Sequence, residues 1–331
     1  MRRAALLAGL GRVAGLGLVA ALGLSLAASG AVAQTRPPAR PAPAAPAPAA
    51  RPEPPSVESA YAAWQRGRYL TAFREATERV EALADPVSMT MLGELHAAGI
   101  GIPQNEERAL GWYRLAAERN ERNAIFSLGM FHIEGRAGLT RDPALARPFF
   151  ERAAALGHVA AAYNLGLLAL AGQGGEVDPA AAARWFQRAA DLGNADAQYA
   201  FAVMLKDGNG IPADLPRAAS YMQRAALQDL LEAQIDFAVM LFNGQGLPKD
   251  EARAASFFRK AALRGNPLAM NRYARLLAAG RGTRPDAKMA AQWHITAHML
   301  GAPDSWLQDY VRNMDPVQRE AAEQGARDWL R

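Results

Sequence analysis

Apolar and polar positions follow one pattern that recurs six times between Asp85 and Gly301, with a period of 36 or 37 residues. Each copy opens with apolar residues at helical spacing, as in Ala162, Leu165 and Ala169, which predicts a first helix that we name helix A. A large and a small residue stand side by side in every helix A: Leu92-Gly93, Leu128-Gly129, Leu165-Gly166, Phe201-Ala202, Phe237-Ala238 and Tyr273-Ala274. A period of this length is typical of a solenoid built from stacked supersecondary units.

A glycine turn is predicted at the end of helix A. Glycine adopts the left-handed conformation that ends many helices, and other residues resist it. In five copies the turn begins at Gly99, Gly172, Gly208, Gly244 or Gly280. The second copy has one extra residue between Gly135 and Asp142, an insertion that costs little because loop-closure entropy grows slowly with length.

A second helix, which we name helix B, is predicted after each turn. A short polar residue suited to capping free N–H groups precedes it in every copy: Asn105, Asp142, Asp178, Asp214, Asp250 and Asp286. An aromatic residue comes seven positions after each cap: Trp112, Phe149, Trp185, Tyr221, Phe257 and Trp293. We expect these aromatic residues to anchor helix B in the core. Paired alanines such as Ala189-Ala190 lie beyond the anchor, where small side chains permit close packing.

The third copy contains LGLLALAGQGG followed by WFQRAADLG, and the first contains LGELHAAGIGI followed by WYRLAAERN. These segments resemble the turn and second helix of the Sel-1-like repeat (SLR) family, which is related to tetratricopeptide repeats. The resemblance implies an all-α fold, a right-handed α-solenoid of stacked helix-turn-helix repeats. It also implies an adaptor that binds a protein or peptide, for which an envelope protein or a sensor kinase would be a suitable partner.

Both ends of the repeat array have features of caps. The first hairpin turns at Gly67, and near the C-terminus Val317, Ala321, Gly325 and Trp329 form a narrow apolar stripe. A terminal cap needs one face for its neighbour and one for water. The predicted boundaries are 57–84 for a tetratricopeptide-like N-terminal hairpin, 85–301 for the six repeats and 302–331 for C-terminal capping helices.

Residues 1–33 have the pattern of a secretory signal peptide. Arginines precede the apolar run Val13–Ala28, and the small residues Ala31 and Ala33 suit cleavage after Ala33. The alternative is an uncleaved anchor, although this run is shorter than the roughly 20 residues that span a bilayer. The expectation is therefore an exported, periplasmic protein with no integral membrane span once the signal is removed.

The stretch 34–56 is rich in proline and alanine, with nine prolines among residues 35–55. This composition predicts a disordered linker of semi-rigid polyproline II character, which either spaces the repeats from the envelope or has no task of its own. The chain contains no cysteine, which excludes lipidation at a lipobox and a fold that depends on disulfides.

The net charge of +5 comes from the N-terminal segments. Residues 57–331 hold 31 basic and 31 acidic residues, so the repeat region is neutral. A neutral domain lacks the positive field that attracts phosphates, and we therefore expect no nucleic-acid partner.

The sequence carries no signature of an enzyme: HExxH, GxSxG, a Walker loop, S-x-x-K and a thiol nucleophile are all missing. No cofactor is expected. His294 and His298 lie four residues apart on one helix, but zinc would need further ligands that the surrounding sequence does not offer, so no metal site is expected either. His294 also occupies the register of Phe186 and Phe258, which favours a packed ring.

The candidate binding surface is a groove along the helices A, which line the concave side in tetratricopeptide-like superhelices. Two apolar rows are predicted there: Phe126, Tyr163, Tyr199 and Ile235 in one, and Met130, Leu167, Val203 and Val239 in the other. The rows turn polar at their ends, at Glu94, Asn271 and Arg275. Such a trough suits an extended or helical peptide. The alternative is that these side chains simply pack helix A against its neighbours.

The sequence therefore favours a non-catalytic periplasmic scaffold or regulator that is expected to act as a monomer. A binder of peptidoglycan or another envelope polymer is the first alternative. A β-lactamase-like hydrolase is a weaker one, because the related enzymes carry paired cysteines that are absent from this chain.

Overall fold

The computed structural model describes residues 53–331, so the predicted signal peptide and most of the predicted linker lie outside the described residues. The described part is α-helical throughout and contains no strand. Its helices are α1 (Val57–Gln65), α2 (Tyr69–Leu83), α3 (Pro86–Ala98), α4 (Glu106–Glu118), α5 (Arg122–Glu134), α6 (Pro143–Ala155), α7 (Val159–Ala171), α8 (Pro179–Asp191), α9 (Ala195–Asp207), α10 (Leu215–Leu227), α11 (Leu231–Asn243), α12 (Glu251–Leu263), α13 (Pro267–Ala279), α14 (Ala287–Met299), α15 (Ser305–Arg312) and α16 (Pro316–Trp329).

Helices pack in chain order, which confirms the predicted all-α solenoid. Each odd-numbered helix from α3 to α13 is a helix A, and it packs most extensively against the helix B that follows it. That helix B then packs against the helix A of the next repeat. One apolar core runs continuously through the six repeats as a result. Within the described residues, every helix is too short or too polar to cross a lipid bilayer.

The ends of the helices follow the predicted turn chemistry. Each predicted cap of helix B accepts a hydrogen bond from a backbone N–H in the first turn, as Asp178 does from Ala181. Helix A ends in every repeat at a glycine with left-handed backbone, for example Gly172 with a φ of 66°. Both predictions about helix boundaries are confirmed, because capping is a local property of the backbone.

A second residue in each turn, two positions after the first glycine, connects neighbouring repeats. It lies against the first residues of the preceding helix B, and a Cβ added at Gly246 or Gly282 would overlap the carbonyl group of Leu215 or Glu251. Only glycine permits this approach between two backbones. The second repeat has Ala137 at this position, with a φ of 52°, and its N–H donates to the carboxylate of Glu106 at the start of α4.

In the first three repeats the buried ring of helix B is one residue beyond the predicted anchor, whereas the predicted anchors Phe257 and Trp293 of the last two repeats are themselves buried. Trp185 is only half-buried, whereas Phe186 is 0% exposed. The same order holds for Trp112 and Tyr113. The prediction that the first aromatic residue is the main core anchor is therefore wrong for these repeats, because helix B turns the following side chain towards helix A.

The small residue of helix A makes room for this ring. A Cβ added at Gly166 would lie 2.5 Å from two ring atoms of Phe186, so the ring packs directly on the backbone of helix A. In the fourth repeat alanine replaces glycine, and the preceding Phe201 instead packs edge-to-face against Tyr221, with 4.9 Å between ring centroids.

The C-terminal helix caps the stack in a different way from that predicted. Val317 is 75% exposed, and the residues that α16 buries are Ala322 and Ala326. Trp329 does contact the last repeat, with its ring 5.9 Å from that of Trp293. The predicted stripe is wrong at Val317 because α16 meets α14 along a face rotated by one residue.

We expect Phe186→Ala to lower the free energy of unfolding by ~3–5 kcal/mol, because it removes a fully buried ring. Trp185→Ala should cost about half of that, since its side chain is only half-buried. Urea unfolding measures both, with exposed His298→Ala as the control. A larger loss for Trp185→Ala would contradict the assignment of the core ring.

A comparison of two glycines with the same φ of 74° tests the contact between repeats. Gly138→Ala should cost about 1 kcal/mol for the left-handed backbone, because an added Cβ there has no neighbour within 4 Å. Gly246→Ala should cost ~1–3 kcal/mol more, because its Cβ would overlap the backbone of Leu215. Equal urea midpoints for the two variants would show that the stack shifts without cost.

Candidate protein-binding groove

The eight residues predicted to line the groove lie on four consecutive helices A, α5, α7, α9 and α11. Seven of them are half-buried apolar side chains that rest on the core and keep one side open to solvent. Leu167 differs, because it is 4% exposed and belongs to the core itself. The structure thus brings the two rows together on one face, with an interruption at Leu167.

Contacts across helices connect two residues of the first row to the next helix A. The ring of Phe126 stacks on His158 at the start of the next helix A, with 4.2 Å between ring centroids. The hydroxyl of Tyr199 donates to the Asp236 carboxylate of α11 over 3.2 Å. Burial, and then the charge of Asp196, raise the pKa of Tyr163 to about 12, so this tyrosine is a neutral hydrogen-bond donor at neutral pH.

The C-terminal end of the groove is closed by the polypeptide that follows the repeats. Asn271 does not line an open end as expected. It is buried, donates to the carbonyl of Ala302 over 2.8 Å, and its Oδ1 lies 2.9 Å from Nδ1 of His294. The loop before α15 covers Asn271, which could not be foreseen from a repeat pattern that ends before it.

Arg275 is also engaged at this end. Its guanidinium forms two hydrogen bonds with Asp304, of 2.7 and 2.8 Å, and lies 5.1 Å from the centre of the Trp306 ring. The arginine and the hydrogen bond from the Leu307 N–H lower the pKa of Asp304 against the opposing effect of burial. Arg275 therefore joins α13 to α15 as well as facing the groove.

The N-terminal end is acidic. Glu94 occupies the register of Met130 on α3 and is half-buried. Burial, followed by the nearby charge of Glu121, raises the pKa of Glu94 to about 7. Glu121 itself is buried, caps α5 and accepts a hydrogen bond of 2.6 Å from the hydroxyl of Thr90. Glu94 has no such partner among the described residues.

An arginine ladder on the helices B was missed by the sequence analysis. Arg152, Arg188 and Arg224 each donate to a carbonyl at the end of the preceding helix B, over 2.5, 2.6 and 2.9 Å respectively. The guanidinium adds a hydrogen bond to a carbonyl that also accepts a backbone N–H from the following turn, and it faces the negative end of the helix dipole. The available signal was an arginine directly before the paired alanines in three consecutive copies.

The two histidines of α14 do not form a metal site with other residues of the described chain. His294 is buried, as its register predicts, and one of its ring nitrogens faces Asn271. His298 is exposed, and its ring centroid lies 6.2 Å from that of His294.

The chain matches the Sel1 repeat family in six adjoining segments: 86–121, 122–158, 159–194, 195–230, 231–266 and 267–301. These segments cover more than half of its length, so the protein belongs to the Sel1 repeat family. Proteins of this family typically mediate protein–protein interactions, and the repeat scaffold is generally non-catalytic. No curated protein matches the chain.

Solved structures of similar proteins include a Sel1 repeat protein from Oxalobacter formigenes. It is 28% identical over 74% of this chain and 100% of its own, with a TM-score of 0.61, and it supports the solenoid fold. A protective antigen of uropathogenic Escherichia coli with an SLR fold is 19% identical, covering 82% of this chain and 84% of its own, with a TM-score of 0.43. The immunity protein Pa5087 from Pseudomonas aeruginosa is 20% identical over 62% of this chain and 82% of its own, with a TM-score of 0.39.

The pKa of Glu94 predicts a dependence of stability on pH. Its ordinary value is 4.5 and its folded value is about 7, so ionisation disfavours the folded state as pH rises through this window. Glu94→Gln cannot ionise and should be more stable than the natural protein by about 1 kcal/mol at pH 8, a figure reduced for solvent screening, and nearly equal to it at pH 4.

Urea unfolding at pH 4, 6 and 8 measures this difference. Glu107→Gln, which changes an exposed carboxyl group on α4, is the control and should leave the pH profile unaltered. A Glu94→Gln effect that is the same at all three pH values would contradict the proposed cause.

Proposed function

We propose that this protein is an exported, non-catalytic scaffold or regulator that binds a protein or peptide along its helices A. The observation that carries the proposal is the half-exposed apolar face formed by Phe126, Tyr163, Tyr199 and Ile235 with its companion row. A solenoid must bury the faces between its helices, but it has no need to keep aromatic side chains half-exposed in three successive repeats.

The geometry of this face suits an elongated partner. Its side chains recur once per repeat, so a bound segment would meet equivalent contacts at regular steps. The half-buried tyrosines supply large, rigid surfaces together with a hydroxyl, a combination enriched where proteins bind one another. Family membership agrees with this role, since Sel1 repeat proteins typically mediate protein–protein interactions.

The periplasmic location rests on the sequence alone. An arginine-containing start, the apolar run Val13–Ala28 and small residues before Gln34 support export by a signal peptidase. An envelope protein or the exported domain of a sensor kinase would then be within reach as a partner.

The test is affinity capture from an envelope extract with the full chain and with the double variant Tyr163→Ser/Tyr199→Ser, followed by mass spectrometry. The variant should retain less than a tenth of each specific partner, because it removes the two central rings of the groove. The control is Tyr221→Ser, which changes a half-buried tyrosine of helix B that also donates to an aspartate, here Asp191 over 2.6 Å.

Thermal unfolding of every variant separates binding from folding. Equal capture by the double variant and the natural chain would place the partner elsewhere. If the natural chain and the double variant capture isolated sacculi equally well, an envelope polymer is favoured as the partner instead. If the double variant unfolds, Tyr163→Phe/Tyr199→Phe should fold and retain capture, and Val203→Ser then tests the second row.

A further inference from the structure

The apolar face of the helices A carries carboxylates that lack cationic partners. Asp196 and Glu232 are both exposed, each three residues and about one helical turn before a row residue, Tyr199 or Ile235. Asp236 touches the same row through the hydroxyl of Tyr199. Glu94 stands in the second row at its N-terminal end.

Several carboxylates elsewhere in the described chain are paired. Glu106 binds Arg136 over 2.8 Å, Glu251 contacts Arg281, and Asp304 binds Arg275. On the groove face only Asp236 has a cation near it, Lys206 at 3.8 Å. No ion pair joins Glu94, Asp196 or Glu232 to a basic side chain of the described residues.

The carboxylates also lie close enough to affect one another. Burial and then the charge of Glu232 raise the pKa of Asp196, and Asp196 in turn acts on Tyr163 of α7. Asp196 on α9 and Glu232 on α11 thus place negative charge beside the apolar rows. At the N-terminal start of this face, the positive charge of Arg122 acts on His158.

A ligand of opposite charge would complement these carboxylates. Two neighbouring carboxylates repel each other, and a cation placed between them removes that repulsion. Because the repeat region as a whole is neutral, the negative field belongs to this face and not to the entire surface.

We propose that the groove binds a peptide segment in which lysine or arginine side chains alternate with apolar ones. The apolar side chains would cover Tyr163, Tyr199 and Val203, and the cations would lie beside Asp196 and Glu232. This inference rests on the proposed function, because it specifies the chemistry of the occupant of the same groove.

The experiment uses the full chain and two fluorescein-labelled 20-residue peptides. One repeats the order leucine, alanine, lysine, alanine, so that leucine and lysine share a face when the peptide is extended; the other has glutamate in place of every lysine. Fluorescence anisotropy should show binding of the lysine peptide at low salt, at least tenfold tighter than that of the glutamate peptide. Added salt should weaken it.

Matched variants locate the interaction. Asp196→Asn/Glu232→Gln keeps side-chain volume and should weaken binding of the lysine peptide about tenfold, since it removes two charges from the proposed contact. Glu107→Gln/Glu118→Gln removes two exposed charges from α4 and should leave binding unchanged.

Three results would overturn the inference: no binding of the lysine peptide at low salt, equal binding of both peptides, or an equal loss in the two double variants. The proposed function still stands after any of these results if the variant Tyr163→Ser/Tyr199→Ser captures less of its envelope partner than the natural chain does. If the capture experiment fails but the lysine peptide binds tightly and this binding depends on Asp196, an envelope protein is rejected as the partner. The groove is then retained as a peptide-binding site.

Discussion

The stack depends on close contact between the turn of each repeat and the start of the preceding helix B. At Gly174, Gly210, Gly246 and Gly282 this contact is made by backbone on backbone, without space for a side chain. The turn thereby fixes where each helix pair sits on the last one. Hydrogen bonds add to the contact where glycine is absent, as between Ala137 and Glu106. Because every repeat touches only its neighbours, this recurring contact determines how the array is built.

Two further sets of contacts, located away from these turns, also stabilise the stack. Rings such as Phe186 sit directly on the backbone of helix A, where Gly166 leaves room for them. On the other side, the arginine ladder joins the end of one helix B to the next, through carbonyls in the last turn of the preceding helix B. The rings thus complete the packing within each helix pair, whereas the arginine ladder joins one pair to the next.

The face that this stack leaves open combines two unfavourable features. It exposes apolar side chains from α5 to α11, and it holds carboxylates without cationic partners among the described residues. Each costs some stability, and both occur on helices whose other faces are well packed. A site for a cationic and apolar segment explains why the two features occur together, whereas a purely architectural role for helix A explains neither.

The sequence determined the period, the helix boundaries, the caps and the left-handed glycines, since these depend on a few neighbouring residues and recur in register. It also placed seven of the eight groove residues on a half-open face.

The tertiary structure decided which aromatic side chain is buried, because the rotation of helix B about its axis is set by its neighbours. Phe186 and not Trp185 fills the core for this reason. The tertiary structure also decided that Leu167 is covered. It decided as well that α15 and the loop before it contact Arg275 and Asn271, because a repeat pattern carries no information about the segment that follows the last copy. Ion pairing is likewise decided by the tertiary structure. Whether Asp196 or Glu94 meets a cation depends on residues about 30 or more positions away, which only the stacking of repeats brings close.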